Sequence, residues 1–269
     1  MPPARMPAHG AGKPVSIVQN VLVASTSPIL VTGGTGSLGR AVVRRLAARG
    51  DDVRVLSRSG AAGTVLGDLT TGEGVAEALD GVGVVMHLAT TNRDDTEMTR
   101  TLVRSAERSG RPRILYSSIV GIDRIPLAYY GGKRASERII AESRLRWTTQ
   151  RTTQFHNLVA SIFQIQRFSP VIMAPAFRYQ PIAVEDVAAR LLQLLDDDVV
   201  GIAPDIGGPE VRTARDLARA WLRVRGLHRA TATFRLPGTR FAAFSAGENL
   251  VPGEPYGHMR FEEALAAAR

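Results

Sequence analysis

Apolar residues in this chain arrive in short runs, separated by longer segments in which they recur every third or fourth position. Residues 29–32, Ile-Leu-Val-Thr, form such a run and end in glycines, the mark of a buried strand. Leu38, Val42 and Leu46 then share one face of a helix predicted over 38–49, with arginines between them and Gly50 to stop it. The same reading predicts strands over 53–56, 82–88, 113–117 and 147–152, and helices over 73–79, 96–109 and 136–145. Strand and helix alternate at spacings that require parallel crossovers. The expected fold is therefore α/β, a Rossmann-type doubly wound parallel sheet.

Past residue 155 the pattern loosens. A helix is predicted over 187–195, a turn over 205–208, a helix over 214–225, a strand over 231–236 and a closing helix over 261–268. Three parts follow: an N-terminal extension over 1–27, a nucleotide-binding core over 28–155, and a remainder over 156–269. That remainder holds the last Rossmann elements and a smaller C-terminal substrate-binding part. The extension has four prolines by position 14 and reads as a flexible tail or an upstream start. Residues 14–39 are uncharged, but Gln19, Asn20, Pro28 and four glycines break them, so no membrane span or membrane partner is expected.

Composition changes the picture in three places. The 269 residues suffice for a sizeable core. The absence of cysteine excludes disulfides and thiolate metal sites and suits a cytoplasmic protein. The net charge of +9 raises the question of nucleic acid, yet the basic residues are dispersed with no run of five, which argues for a solvated surface instead. Of 34 basic residues only Lys13 and Lys133 are lysine, so a lysine at an internal position is worth examining.

The glycine turn carries the first chemistry. Thr32-Gly33-Gly34-Thr35-Gly36-Ser37-Leu38-Gly39 follows a strand and opens a helix, with glycines at 33, 36 and 39. Glycine permits the positive φ of the turn and lets backbone N–H groups approach a pyrophosphate, to which the helix N-terminus adds partial positive charge. Thr32, Gly33, Gly36, Ser37, Leu38 and Gly39 are thus candidate dinucleotide contacts. The end of the next strand selects the nucleotide. A carboxylate there would hold the ribose hydroxyls of NAD; this chain has Arg58, with Arg40 as a second cation, which favours the 2′-phosphate of NADP(H) over NAD(H).

The turn resembles the T-G-x-x-G-x-x-G of the short-chain dehydrogenase/reductase superfamily, in particular its extended and atypical branches and the NmrA-like NAD(P)-binding proteins. Gly67-Asp68-Leu69 is similar to the family's G-D-L segment, which implies adenine contacts from Asp68 and Leu69. His87-Leu88-Ala89 resembles the stretch that lines the cofactor ribose, which implicates Ala89. Tyr129 and Lys133, 11 residues after Ser118, match the family's Y-x-x-x-K and its strand-end serine, and Glu137 extends the match as in extended members. The resemblance covers 29–155 well and implies a two-fold dimer.

The chemistry of this trio is direct. An unperturbed phenol has a pKa of about 10. A lysine one helical turn away on the same face favours the phenolate and can bond the ribose hydroxyls, which makes Tyr129 the general acid/base and Lys133 its partner. Ser118 would hold the substrate carbonyl. Gly131-Gly132 interrupts the trio, at roughly 1 kcal/mol per glycine relative to alanine. It predicts either a mobile tyrosine or a helix that starts at Lys133, and Tyr130 competes for the acid role. Gln154, Phe155 and His156 follow a strand and resemble the family's substrate-facing stretch. The five histidines show no metal-ligand spacing, so no metal is expected. The expected function is NADP(H)-dependent hydride transfer at a carbonyl or alcohol of a small apolar molecule. The alternatives are a non-catalytic NmrA-like redox sensor and an NAD(P)-dependent epimerase or isomerase.

Overall fold

The computed structural model describes residues 27–91, 94–235 and 237–267; positions 1–26 of the expected extension lie outside the described residues. The chain runs through β1 (Ile29–Thr32), α1 (Ser37–Arg49), β2 (Val53–Ser57), β3 (Val65–Leu66), α2 (Val75–Ala78) and β4 (Val84–His87). Next come α3 (Thr96–Arg108), β5 (Arg113–Ile119), α4 (Ala128–Ala141), β6 (Trp147–Thr152), α5 (His156–Gln164), β7 (Val171–Pro175) and β8 (Arg178–Tyr179). The remaining elements are α6 (Val184–Asp196), β9 (Gly201–Ile202), β10 (Arg212–Thr213), α7 (Ala214–Val224), β11 (Ala230–Phe234), α8 (Thr239–Ala246) and α9 (Phe261–Ala267).

Seven strands form one sheet in the order β3-β2-β1-β4-β5-β6-β9, and every pairing in it is parallel. Alternation along the strands sends Ile29 and Val31 to one face, where they pack with Leu38, Val42 and Leu46 of α1 and Val187, Leu191 and Leu194 of α6. Leu30, Val85, Ile114 and Tyr116 point to the other face, against α2, α3 and Ile140 of α4. The expected doubly wound α/β sheet is present. A third apolar cluster joins α5, β7, α7 and α9 around Phe163 and Trp221.

Two interior charges tie the halves together. Arg113 at the start of β5 is buried and donates to the carbonyls of Leu194, Leu195 and Val199, which satisfies the C-terminal end of α6. Arg151 grips both oxygens of Glu137 at 2.9 and 2.6 Å and also pairs with Asp123. Glu137, which extends the family match, is thereby an anchor between α4 and β6.

The clearest departure from expectation is α4. The pattern predicted a helix over 136–145, or a start at Lys133; the helix begins at Ala128 and runs through both glycines. Gly132 explains why. A Cβ there would lie 2.9 Å from Asp94 Oδ1 and 3.1 Å from Asp94 Cα, so α4 can approach the start of α3 only with glycine at that position. Gly131 faces open space. Gly131→Ala is expected to raise stability by about 1 kcal/mol, read from urea midpoints, whereas Gly132→Ala lowers it.

Candidate active site

The glycine turn is shaped by its neighbours. Gly33 has φ +70, and a Cβ there would lie 2.6 Å from the Ala89 nitrogen; at Gly39 it would fall 2.1 Å from the Gly33 oxygen. Only glycine allows β1, β4 and α1 to meet this closely. Helix α1 starts at Gly36 with no side-chain cap and no acidic residue in its first turn, so its N–H groups and dipole face the turn uncompensated. Ser37 receives a 2.9 Å hydrogen bond from Asn157 Nδ2, which ties the turn to α5. Leu38 packs inward with α6. Arg58 is exposed just past the end of β2, and no carboxylate occurs from Val53 to Gly67. Arg40 folds back onto the Thr35 carbonyl. The Asp68 carboxylate accepts the Thr70 N–H at 2.7 Å, while Leu69 is buried beside α2 and α3.

Beneath the turn runs a buried chain of polar groups from four elements. Thr32 Oγ1 lies 2.8 Å from His87 Nδ1, and His87 Nε2 lies 3.1 Å from Thr99 Oγ1. Thr99 Oγ1 in turn is 2.9 Å from Ser136 Oγ and 3.0 Å from the Asp95 carbonyl. Burial drives the His87 pKa down to about 3, with the Lys133 charge adding to the effect, so the imidazole is neutral and stacks 5.3 Å from the Tyr116 ring.

Lys133 and Ser118 share the α4 side of the sheet. Lys133 is buried, with its ammonium 5.0 Å above the Tyr116 ring and 3.2 Å from Asp95 Oδ2. Burial pushes the ammonium pKa down, and Asp95 opposes that shift. For Asp95 burial alone would raise the pKa, but Lys133 and the Thr91 N–H at 2.7 Å hold it below the usual carboxylate range. Ser118 lies two residues past Tyr116 and so on the same face of β5. Its hydroxyl is buried and meets no hydrogen-bond partner among the described residues.

The Tyr129 ring is half-buried, with its hydroxyl 3.4 Å from Thr90 Oγ1. Thr90 follows Ala89, so the phenol hangs over the end of β4 beside the glycine turn. Lys133, expected to favour the phenolate, pairs with Asp95. Burial raises the Tyr129 pKa, Thr90 opposes, and the Asp95 charge raises it further. Tyr130, the competitor, is sealed under Phe244 of α8, and burial pushes its pKa up to about 12 against a hydrogen bond with Gln154.

The other three expected pocket residues diverge. Gln154 reaches toward Asn249 on the Tyr130 side, with Nε2 3.4 Å from the Asn249 carbonyl. Phe155 packs into the α1–α6 core. His156 turns away to the Pro181 carbonyl at 3.0 Å and the Phe261 ring. It lines a cleft of about 1040 Å³ with Ser37, Arg40, Arg44, Asn157, Gln164 and Leu265, on the outer side of α1 and away from Tyr129 and Ser118. Among the described residues no cluster of three acids or histidines could hold a metal ion, and no helix is long and apolar enough to cross a membrane.

Asp95 was the residue that pattern reading missed. An aspartate opening an amphipathic helix reads as an N-cap, yet its carboxylate caps nothing in α3 and serves Lys133 instead. The available signal was Lys133 itself, a lysine inside a chain that otherwise uses arginine.

A parallel doubly wound sheet with a glycine turn at the end of β1 defines a Rossmann-type dinucleotide-binding protein. The chain belongs to the NAD(P)H-binding family, whose model matches residues 33–198. It is similar to a ceramide reductase of Caulobacter vibrioides, 28% identical over 198 residues, which are 65% of this chain and 62% of that protein's length. The chain therefore spans less than two thirds of that relative. Its fold matches a nucleoside-diphosphate-sugar epimerase from Staphylococcus aureus, with TM-score 0.75 and 15% identity over 89% of this chain and 99% of that one. It also matches an NADPH-dependent quinone oxidoreductase from Escherichia coli complexed with NADPH, with TM-score 0.74 and 17% identity over 89% and 99% of the two chains. These likenesses show a fold that the chain shares with both a reductase and an epimerase.

Proposed function

We propose that this protein is an NADP(H)-dependent oxidoreductase that moves hydride to or from a carbonyl or alcohol carbon of a small apolar molecule. The observation that carries this reading is the position of the Tyr129 hydroxyl, beside Thr90 and one residue from the Ala89 backbone that packs on Gly33. A phenol there stands at the edge of the dinucleotide turn.

The residues present fit the cofactor. The close-packed glycines and the uncapped start of α1 form an anion cradle, with Arg58 past β2 on one side of the turn as a cation for a 2′-phosphate, Asp68 past β3 beyond it, and Ala89 past β4 on the other side. When bound, the nicotinamide supplies the hydride or accepts it. Tyr129 donates the proton to the developing alkoxide, or removes it in the reverse direction. Ser118, with its buried unpaired hydroxyl, holds the substrate oxygen. Lys133 would hold the ribose hydroxyls with a charge already shared with Asp95. Similarity to a ceramide reductase puts ceramide-like carbonyl compounds first among substrates to try.

Two measurements test the proposal. Fluorescence titration should show NADPH binding more tightly than NADH, with Arg58→Ala erasing about a 10- to 100-fold preference, the worth of charge-assisted hydrogen bonds of roughly 1.5–3 kcal/mol. Equal affinity for the two nucleotides in the unmodified protein would overturn the cofactor choice. Incubation of the protein with 4-deuterated NADPH and a panel of apolar ketones should place deuterium on the product carbinol carbon. A second reading, a redox sensor without turnover, is favoured by the raised Tyr129 pKa and by the Asp95 partner of Lys133. It predicts tight NADPH binding and no deuterium transfer to any ketone.

A further inference from the structure

The C-terminal region carries an apolar surface that the proposed chemistry does not use. Phe168 is 86% exposed and Ile165 75% exposed, at the end of α5 and in the turn after it. Leu158 lies two helical turns before Ile165 on the same face of α5 and is also exposed. Gln166 bonds both backbone groups of Met173, at 2.8 and 3.1 Å, which brings the exposed Met173 side chain beside this turn. Side chains of this size gathered on one protruding turn are uncommon in a surface that meets only water.

The charge around them has one sign. Residues 143–184 contain no aspartate or glutamate, and neither do residues 217–247. These two stretches meet where β7 pairs with β11. Arg167 lies over the Phe168 ring at 4.5 Å, and Arg229 donates to the carbonyls of Gln166 and Ser169 at 3.4 and 3.3 Å. Asp216 and Glu262, on the neighbouring α7 and α9, are taken up by Thr213, Arg219, Arg212 and Arg223, and Glu185, which shares a cleft with Gln164, pairs with Arg44.

We propose that the turn at Ile165–Phe168 docks this protein onto an anionic lipid surface, with Ile165 and Phe168 entering the interface and Arg167 and Arg229 meeting the headgroups. Apolar side chains flanked by guanidinium groups suit the boundary between acyl chains and negative headgroups, where each cation near the surface adds to the attraction. A protein partner would need carboxylates against the arginines and a matched apolar face. A bilayer supplies both without shape complementarity. The lack of a membrane span bears only on crossing, and the expectation of no membrane partner rested on that alone. This contact lies in the plane of the interface and is independent of the oxidoreductase reading.

The test is flotation of the purified full chain with phosphatidylglycerol-containing vesicles against pure phosphatidylcholine vesicles. Binding to the anionic vesicles is expected to exceed binding to the neutral ones by about tenfold and to weaken in high salt. Ile165→Glu/Phe168→Glu should abolish it while NADPH titration stays unchanged, which certifies the fold. Arg167→Gln should weaken it by about fivefold. The proposal is overturned if the double variant floats as well as the parent, or if the parent does not float with either vesicle. It is also overturned if light scattering shows that the double variant merely turns a dimer into a monomer, since the face would then join two copies of this chain.

Discussion

Tyr129→Phe is expected to lower the rate of deuteride transfer by about 100- to 10,000-fold, the usual worth of a positioned general acid. NADPH affinity should hold, because the Tyr129 hydroxyl meets Thr90 and not the glycine turn. The measurement is a single-turnover assay on whichever ketone the panel identifies, with Tyr130→Phe run beside it. Tyr130 lies under Phe244, and burial pushes its pKa up to about 12, so its hydroxyl is poorly placed to exchange protons with a substrate. Should Tyr129→Phe keep full turnover, the acid role falls. Should Tyr130→Phe alone be inactive, the role passes to the residue under α8. The pH profile adds a sign. Burial raises the Tyr129 pKa, so the protonated acid persists well into alkali, and reduction should decline only above the ordinary phenol range.

The second large effect concerns the pair beneath the site. Lys133→Met leaves the Asp95 carboxylate buried without its cation, and is expected to cost about 3–5 kcal/mol of stability at neutral pH. Asp95→Asn placed on top should restore much of that, and denaturant titration of the four proteins of the cycle measures the coupling. The pH dependence separates this from a simple packing loss. In the parent the Asp95 pKa is depressed, so the pair stabilises above the unfolded carboxyl pKa and is lost as pH falls through the lower folded one. In Lys133→Met burial is opposed only by the Thr91 and Thr90 hydrogen bonds, so the folded Asp95 pKa moves up and the stability that this carboxylate loses on acidification should shrink. His87 differs between the two proteins, because the Lys133 charge adds to the depression of its pKa in the parent and is gone in the variant. In the parent its folded pKa of about 3, against 6.5 in the unfolded chain, removes stability as pH falls between those values. The difference between the two proteins therefore reports Asp95 and His87 together, and the same comparison in the Asp95→Asn background isolates the His87 part. A constant difference across pH 3–7 would mean that Lys133 matters through packing only.

Much of the nucleotide-binding half was legible because its signals are local. A four-residue apolar run, three glycines in register and an amphipathic helix follow one another without a gap, and β1 and α1 fall within a residue of the reading. The start of α4 was not legible, since Gly131-Gly132 argues against a helix on propensity alone. Its justification is the Asp94 backbone, far away in sequence. The same distance hid Asp95. In the last third β8, β9 and β10 have only two residues each, too few to show alternation. Helix α5 blurs its own period, because Leu158 and Ile165 are apolar on the solvent side while Val159 and Phe163 are apolar on the core side. Surface chemistry there masked the fold.

The buried chain from Thr32 through His87 and Thr99 to Ser136 bears on how long the folded molecule lasts. Its four groups come from β1, β4, α3 and α4, and the bonds that join them hold only while all four elements are in place. No one of these elements can peel away without leaving an unpaired polar group in the interior, at a cost of about 1–3 kcal/mol for each group stranded. Opening is thereby forced to be collective, which slows the escape to protease-sensitive states more than it deepens the equilibrium. The dinucleotide turn rests on top of that lock, so its lifetime is tied to the slowest motion of the fold and not to the glycines that make it supple.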